Sequence, residues 1–386
     1  MYNLQYIVLH ILVILICCWY CKKASYKEEK NYWKLATIPI MVFTFEEGLR
    51  WGRHIDWCAY YYVYNSLGTR TNTTEIEYLF ELLWGTMARL GFPYYVAISL
   101  CSFLLVYSFF KFAKPYKQLL FLFLPLSIIW IAPAAMNMVR WYMGFSIALI
   151  GLRYLLDGCF LKSILLFIAA SLFHTITGVL MLPCLLFYVF KKVMFIRPKY
   201  VVLISVFFIL FFNVASLANL FGLLSVFSYL ERYSGYIANA DSWFASTGGL
   251  DGFNRKANIV YIATMVPFYA SLLYTYKNRK IIPNASFFYN VLTFCVILRS
   301  FSSGMEIVAR IATFYDFSFL YLCSWFLYKQ RFIKSMAIVV VIVWASIAYK
   351  AFIFIRPMSN DALNHYVWNS GNISPEKAFY LCGYEH

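Results

Sequence analysis

The sequence predicts an all-α protein, a polytopic transmembrane helical bundle of about 12 spans. Three observations predict it. Of 386 residues, 62% are apolar and only 13% are charged, where a soluble globular chain carries roughly 25% charged residues. The apolar residues form continuous runs instead of alternating, which excludes a β-barrel. The runs are separated by short basic clusters. The net charge of +16 comes from 17 acids against 33 bases scattered between those runs. It does not mark a nucleic-acid surface, and the composition excludes a disordered chain and an ordinary cytosolic enzyme.

The first run, Leu4 to Tyr20, has no base before it and Lys22 and Lys23 after it. A signal peptide has the reverse order, so this reads as an uncleaved span. Basic clusters mark the cytoplasmic side. They lie at Lys22–Lys34, Lys111–Lys117, Arg153–Lys162, Lys191–Lys199, Lys277–Lys280 and Lys329–Lys334. The spans then read 4–20, 35–49, 93–112, 118–135, 138–156, 161–174, 177–190, 200–219, 258–276, 284–302, 311–328 and 335–354, with both termini outside. The sixth and seventh are short, flank His174, and read as half-helices meeting inside the membrane.

The chain reads as one integral membrane domain, 1–386, without an internal repeat. Its irregular sequence lies on the outer face, in loops at about 50–92 and 221–258 and a tail at about 356–386. The inner loops are short, so the work is expected outside. In the first outer loop Ile76, Leu79, Phe80, Leu83, Met87 and Leu90 follow the spacing of an amphipathic helix. Thr74 and Glu77 form a capping box before it, and Gly91 and Pro93 close it. Such a helix is expected to lie flat at the outer interface.

The bases divide unequally between the faces. Ten arginines fall outside: Arg50, Arg53, Arg70, Arg89, Arg140, Arg232, Arg255, Arg299, Arg310 and Arg356. Lysines dominate the inside. The positive-inside rule needs only charge, so it does not explain arginine on the wrong face. Arginine offers a planar fork of donors that pairs with phosphate or carboxylate. Glu46 with Arg50 and Glu306 with Arg310 are expected as i, i+4 pairs. Arg140 has no acid nearby in sequence and sits at a span mouth. Together these arginines point to a polyanionic ligand, with a lipid pyrophosphate the best fit.

His174 is the one histidine between short apolar segments. It is either an interhelical hydrogen-bonding group or a proton acceptor. Asp56 is a second acid–base candidate, or a salt bridge at a helix end; Tyr60 follows it. The second outer loop carries Arg232, Tyr233, Tyr236 and Trp243 among Asn239, Asp241 and Ser242. These read as an interfacial belt or as a glycan-stacking groove. The ten cysteines show no metal or disulfide spacing, and no nucleotide or metal motif stands in a suitable context. No metal and no cofactor is expected.

Three segments stand out together. One runs Gly48-Leu49-Arg50-Trp51-Gly52 through Asp56 and Tyr60. The second is Arg140-Trp141-Tyr142-Met143-Gly144-Phe145-Ser146-Ile147-Ala148, followed by Phe173-His174-Thr175. The third is Arg310-Ile311-Ala312-Thr313-Phe314-Tyr315. In this order they resemble the EpsG family of Wzy-like bacterial polysaccharide polymerases. The resemblance implies a GT-C-like membrane glycosyltransferase in the bacterial inner (cytoplasmic) membrane, active at the periplasmic or external face. It implies lipid (undecaprenyl) pyrophosphate-linked oligosaccharides as donor and acceptor, with chain-length regulator and flippase proteins as partners and no nucleic acid. Carried onto this chain, Arg50, Arg53, Arg140 and Arg310 would hold the pyrophosphate, and His174 or Asp56 would be the base. Tyr60 would contact glycan, and on the groove reading of the second outer loop so would Arg232, Tyr233, Tyr236 and Trp243. A flippase for lipid-linked oligosaccharide and a related glycan ligase are the alternatives.

Overall fold

The computed structural model describes residues 2–53, 56–69, 77–211, 255–301, 306–330, 337–357 and 364–368. Ile76, the Thr74 half of the expected capping box, and Arg232, Tyr233, Tyr236 and Trp243 lie outside the described residues.

Among the described residues the structure is helical apart from one short strand pair. Among them, three stretches are long and apolar enough to cross a membrane: Tyr2–Tyr26, the paired run Tyr94–Asn137, and Ala337–Ile355. Shorter apolar helices include Phe160–Phe173, Thr175–Val189 and Ala285–Phe301. These are the helices of a membrane protein. The chain, read above as one membrane domain, groups into two compact units, residues 1–182 with 347–386, and residues 183–346.

The first unit contains α1 (Tyr2–Tyr26), α2 (Tyr32–Gly48), α3 (Trp57–Thr69), α4 (Tyr78–Arg89), α5 (Tyr94–Ala113), α6 (Leu120–Asn137), α7 (Val139–Leu156) and α8 (Phe160–Phe173). α1 packs on α2 and α6, and α7 packs on α5 and α8. α7 lies very close to α8 and to the start of the helix that follows it, at Thr177. A Cβ on Gly144 would come within 2.7 Å of Thr177 Oγ1, and one on Gly151 within 2.7 Å of the Phe167 ring. The small residues of α7 therefore let the helix backbones approach, as small residues do between membrane helices.

The segment between α2 and α5 holds a helix that its sequence pattern did not announce. α3 carries an aromatic face instead of a regular apolar stripe. Trp57, Tyr64, Phe80, Trp84 and Tyr94 form a buried cluster, with Tyr60 and Tyr61 packed against it. α4 is the expected amphipathic helix, packed on α3 and α8. Its buried edge is Phe80 and Trp84, whereas Leu90 is exposed. Glu77 is the N-cap residue of α4 and makes no side-chain capping bond. The expected capping box placed it one turn further in.

Strand β1 (Arg50–Trp51) pairs antiparallel with β2 (His365–Tyr366), Arg50 opposite Tyr366. A Val367 N–H donated to the Leu49 carbonyl at 2.9 Å extends the pairing. The tail thus folds back onto the end of α2, a long-range pairing with no local signature.

The second unit contains the C-terminal half of α9 (Thr175–Val189), then α10 (Pro198–Phe211), α11 (Arg255–Lys277), α12 (Ala285–Phe301), α13 (Glu306–Phe314), α14 (Asp316–Gln330) and the first half of α15 (Ala337–Ile355). α12 packs on α10, α11, α13 and α14. Arg299 donates from Nη2 to both carboxylate oxygens of Asp316 at 2.6 Å.

Candidate active site

α8 stops at His174 and α9 begins at Thr175. His174 is extended, with φ −158° and ψ 109°. The Thr177 hydroxyl reaches the Ala170 carbonyl at 2.8 Å and the His174 carbonyl at 2.7 Å, acceptors that also take the backbone N–H groups of His174 and Thr177, so the break is bridged by hydrogen bonds. α8 has 14 residues; at about 1.5 Å per residue it falls well short of the roughly 30 Å hydrocarbon layer. The half-helix expectation for this segment agrees with that length.

A second break sets Arg140. α6 ends at Asn137, and Met138 leaves helical geometry at φ −105° and ψ 60° before α7 resumes at Val139. Arg140 therefore sits in the first turn of α7, where unpaired backbone N–H groups favour anions.

Glu77 joins these two breaks. Its Oε2 accepts from Arg140 Nη1 at 2.9 Å, and its Oε1 lies 3.3 Å from His174 Nδ1. The His174 contact has ion-pair distance but falls short of hydrogen-bond geometry. Burial would raise the Glu77 carboxyl. It is outweighed by the His174 contact and the Arg140 charge, which hold the group down at about 2. The Glu77 side chain is 9% exposed, Arg140 34% and His174 24%. The partner that Arg140 lacks in its own stretch of sequence is therefore supplied by α4.

Two aromatics complete the group. The Trp141 ring stands edge-on to His174 with centroids 5.2 Å apart. The Tyr60 hydroxyl accepts the Arg140 backbone N–H at 3.5 Å. With Nδ1 directed at Glu77, the imidazole Nε2 lies on the opposite edge of the ring. That is the arrangement of a base oriented by a carboxylate.

Asp56 sits in the turn before α3, and its backbone N–H is bonded to Asn137 Oδ1 at 3.1 Å. It is tethered to the same α6–α7 corner that carries Arg140.

Arg50 and Arg53 belong to a separate, fully buried cluster. Arg53 is 0% exposed, 3.5 Å from Glu46 Oε1 and stacked between Tyr6 and Tyr366, 4.3 and 5.0 Å from their ring centres. Arg50 Nη1 meets Glu47 Oε2 at 3.2 Å, and its Nη2 donates to the Met136 carbonyl at 2.9 Å. The expected Glu46–Arg50 pair is not formed. The helix ends at Gly48 and Arg50 belongs to β1, so helical i, i+4 spacing no longer applies.

His10 stands in the same cluster, Nδ1 3.0 Å from the Tyr6 carbonyl and 3.2 Å from Glu46 Oε1. His10, Glu46 and Glu47 are the one group among the described residues whose atoms converge as metal ligands could. Each carboxylate there already faces a guanidinium, so the charges balance without a further cation. A cavity beside Glu47, Arg50, Ser102 and Tyr142 has a volume of about 20 Å³. It admits water and not a sugar ring.

Arg310 is half-buried on α13 in the second unit. The side chain of Glu306, its expected partner, lies outside the described residues.

The sequence reading singled out His174 and Arg140 but used Glu77 as a helix cap. Their link could not be found locally, because Glu77 lies 63 positions from Arg140. The usable signal was an acid in the outer loop facing an arginine with none of its own.

A model of the EpsG family matches residues 32–368. Neither the comparison with curated proteins nor that with solved structures gave a match.

Proposed function

The chain belongs to the EpsG family, and from that premise we propose that it polymerises lipid pyrophosphate-linked oligosaccharide repeat units. On this reading it is a glycosyltransferase with about 12 spans and a GT-C-like architecture. It works at the outer face of the bacterial cytoplasmic membrane, with undecaprenyl as the carrier lipid. Chain-length regulator and flippase proteins are its expected neighbours.

The observation that carries the proposal is the Glu77-linked pair of Arg140 and His174. Polymerisation needs an anion clamp and a base close together. An acceptor hydroxyl attacks the anomeric carbon of the donor. His174 takes the hydroxyl proton as the new C–O bond forms. The bond from the anomeric carbon to pyrophosphate breaks, and its electron pair leaves with the pyrophosphate. Arg140, half-exposed in the first turn of α7, stabilises that charge. Arginine supplies here the charge that a divalent ion often supplies elsewhere, so the reaction is read as metal-independent. The balanced charges of the His10 cluster support the same reading.

Arg50 and Arg53 are assigned a supporting part, because both are buried against acids; Arg50 braces the Met136 carbonyl just before Arg140. Tyr60 touches the Arg140 backbone and is the best placed of the proposed glycan contacts. Arg310 is kept as a pyrophosphate ligand on the family resemblance, and Arg232, Tyr233, Tyr236 and Trp243 as glycan ligands on the aromatic and polar make-up of their loop. Asp56 is the alternative base.

The test is reconstitution with a synthetic lipid-pyrophosphate oligosaccharide. A ladder of products that are longer by whole repeat units is expected. Movement of the substrate across the bilayer with no new glycosidic bond would overturn polymerisation in favour of a flippase. Transfer to a different acceptor without a ladder would point to a ligase.

A further inference from the structure

One carboxylate serves two partners in this site, and that sharing has an electrostatic consequence. Glu77 Oε2 is bonded to Arg140 Nη1 at 2.9 Å, while Oε1 faces His174 Nδ1 at 3.3 Å. With no ligand bound, the Arg140 charge offsets the Glu77 charge felt by the imidazole. The groups facing His174 come from α4 and α7: Glu77 with its partner Arg140, and the uncharged Trp141 ring. Glu77 is nearly buried, and Arg140 and His174 are partly so, so water screens their charges less than at an open surface.

We propose that Glu77 is a positioning residue through which pyrophosphate captured by Arg140 makes His174 a stronger base. The inference rests on the pyrophosphate role proposed above for Arg140. A pyrophosphate at the Arg140 fork competes with Glu77 Oε2 for the Nη1 donor. Glu77 released from Arg140 closes on His174 Nδ1 from its 3.3 Å separation, and the closer carboxylate favours the protonated imidazole. Its off-line contact with Nδ1 tightens as the imidazole takes up charge, as catalytic hydrogen bonds commonly do on substrate binding. The base is therefore strongest when the donor is in place, which restrains proton transfer before the donor arrives.

By linkage the effect is reciprocal, so protonating His174 strengthens pyrophosphate binding by the same factor. Couplings of this kind are typically about 5–150-fold. The donor's own charge also acts on His174 directly. The contribution of Glu77 is the part that disappears when its charge is removed.

The experiment measures the rate of diethyl pyrocarbonate modification at His174 against pH, read by mass spectrometry of the His174 peptide. It is run on the full chain in detergent, with and without saturating polyprenyl pyrophosphate. Binding of the labelled probe is measured separately by equilibrium dialysis. In wild type the midpoint of the profile should rise by about one pH unit on binding, a tenfold coupling. In Glu77→Gln the rise should be clearly smaller. Glu77→Asp, which keeps the charge, should restore part of it and serves if Glu77→Gln does not fold. Equal rises in wild type and Glu77→Gln, with probe binding intact, would overturn the coupling and leave the polymerase reading standing. Unchanged probe binding in Arg140→Ala would instead overturn the pyrophosphate role of Arg140, and this inference with it.

Discussion

Glu77 Oε2 and Arg140 Nη1 lie 2.9 Å apart although 63 positions separate the two residues. The bond ties the start of α4 to the start of α7, and the second oxygen of the same carboxylate reaches His174 where α8 ends. Three helix termini thus meet at one acid. Termini are where backbone groups and side chains remain available for a ligand, because the helix interior has used its own.

Arg140 separates a forked contact from a point charge. Arg140→Ala should abolish nearly all polymer formation. Arg140→Lys, at matched expression, should lose most of it, because an ammonium lacks the planar pair of donors. Polymer yield on a gel is the readout, and near-wild-type polymer from Arg140→Lys would remove the pyrophosphate role.

His174→Asn keeps a polar side chain of similar size but no useful basicity. It should leave the melting temperature near wild type and lower the turnover rate by about 10²–10⁴-fold, the usual effect of a general base. A fully active variant would transfer the role to Asp56.

Glu77 also predicts an acid dependence of stability. Its carboxyl is held at about 2 against an ordinary value of 4.5. A depressed carboxyl stabilises the fold fully above its unfolded value, and the contribution is lost as pH falls through the folded value. The melting temperature of wild type should therefore exceed that of Glu77→Gln at pH 5 and above. The difference should shrink as the pH is lowered from about 4.5 toward 2. A difference that stays constant across that range would exclude Glu77 as the source.

The buried cluster makes a folding prediction. Arg53→Met strands Glu46 without its guanidinium, and Arg53 is fully buried. Removing one partner of a buried pair typically costs about 3–5 kcal/mol. The melting temperature should fall markedly, and adding Glu46→Gln in the same chain should recover part of the loss. A double variant as unstable as Arg53→Met would show that Arg53 acts through its stacking on Tyr6 and Tyr366 instead.

Sidedness can be read directly. In a background lacking the native cysteines, a cysteine at Asn137 should react with a membrane-impermeant thiol reagent in whole cells, after permeabilising any outer membrane. One at Lys114 should not. The reverse pattern would sink the outer-face assignment of the site.

The helical membrane class is legible in the residues alone, because apolarity over a span-length window is a local property that burial in lipid enforces. So is the break at His174, where two short apolar runs meet. The sequence also singled out Arg140 as an arginine without a local acid. Only the tertiary structure decided which acid that was. It also moved the expected Glu46–Arg50 pair to Glu47–Arg50 and Glu46–Arg53, and laid His365 and Tyr366 beside Arg50 and Trp51. The physical reason is the same in each case. Hydrophobic patterning repeats along the chain, so neighbours in sequence report it. An ion pair between helices or a two-residue strand pair depends on which termini are brought together, and that is set by packing across tens to hundreds of residues.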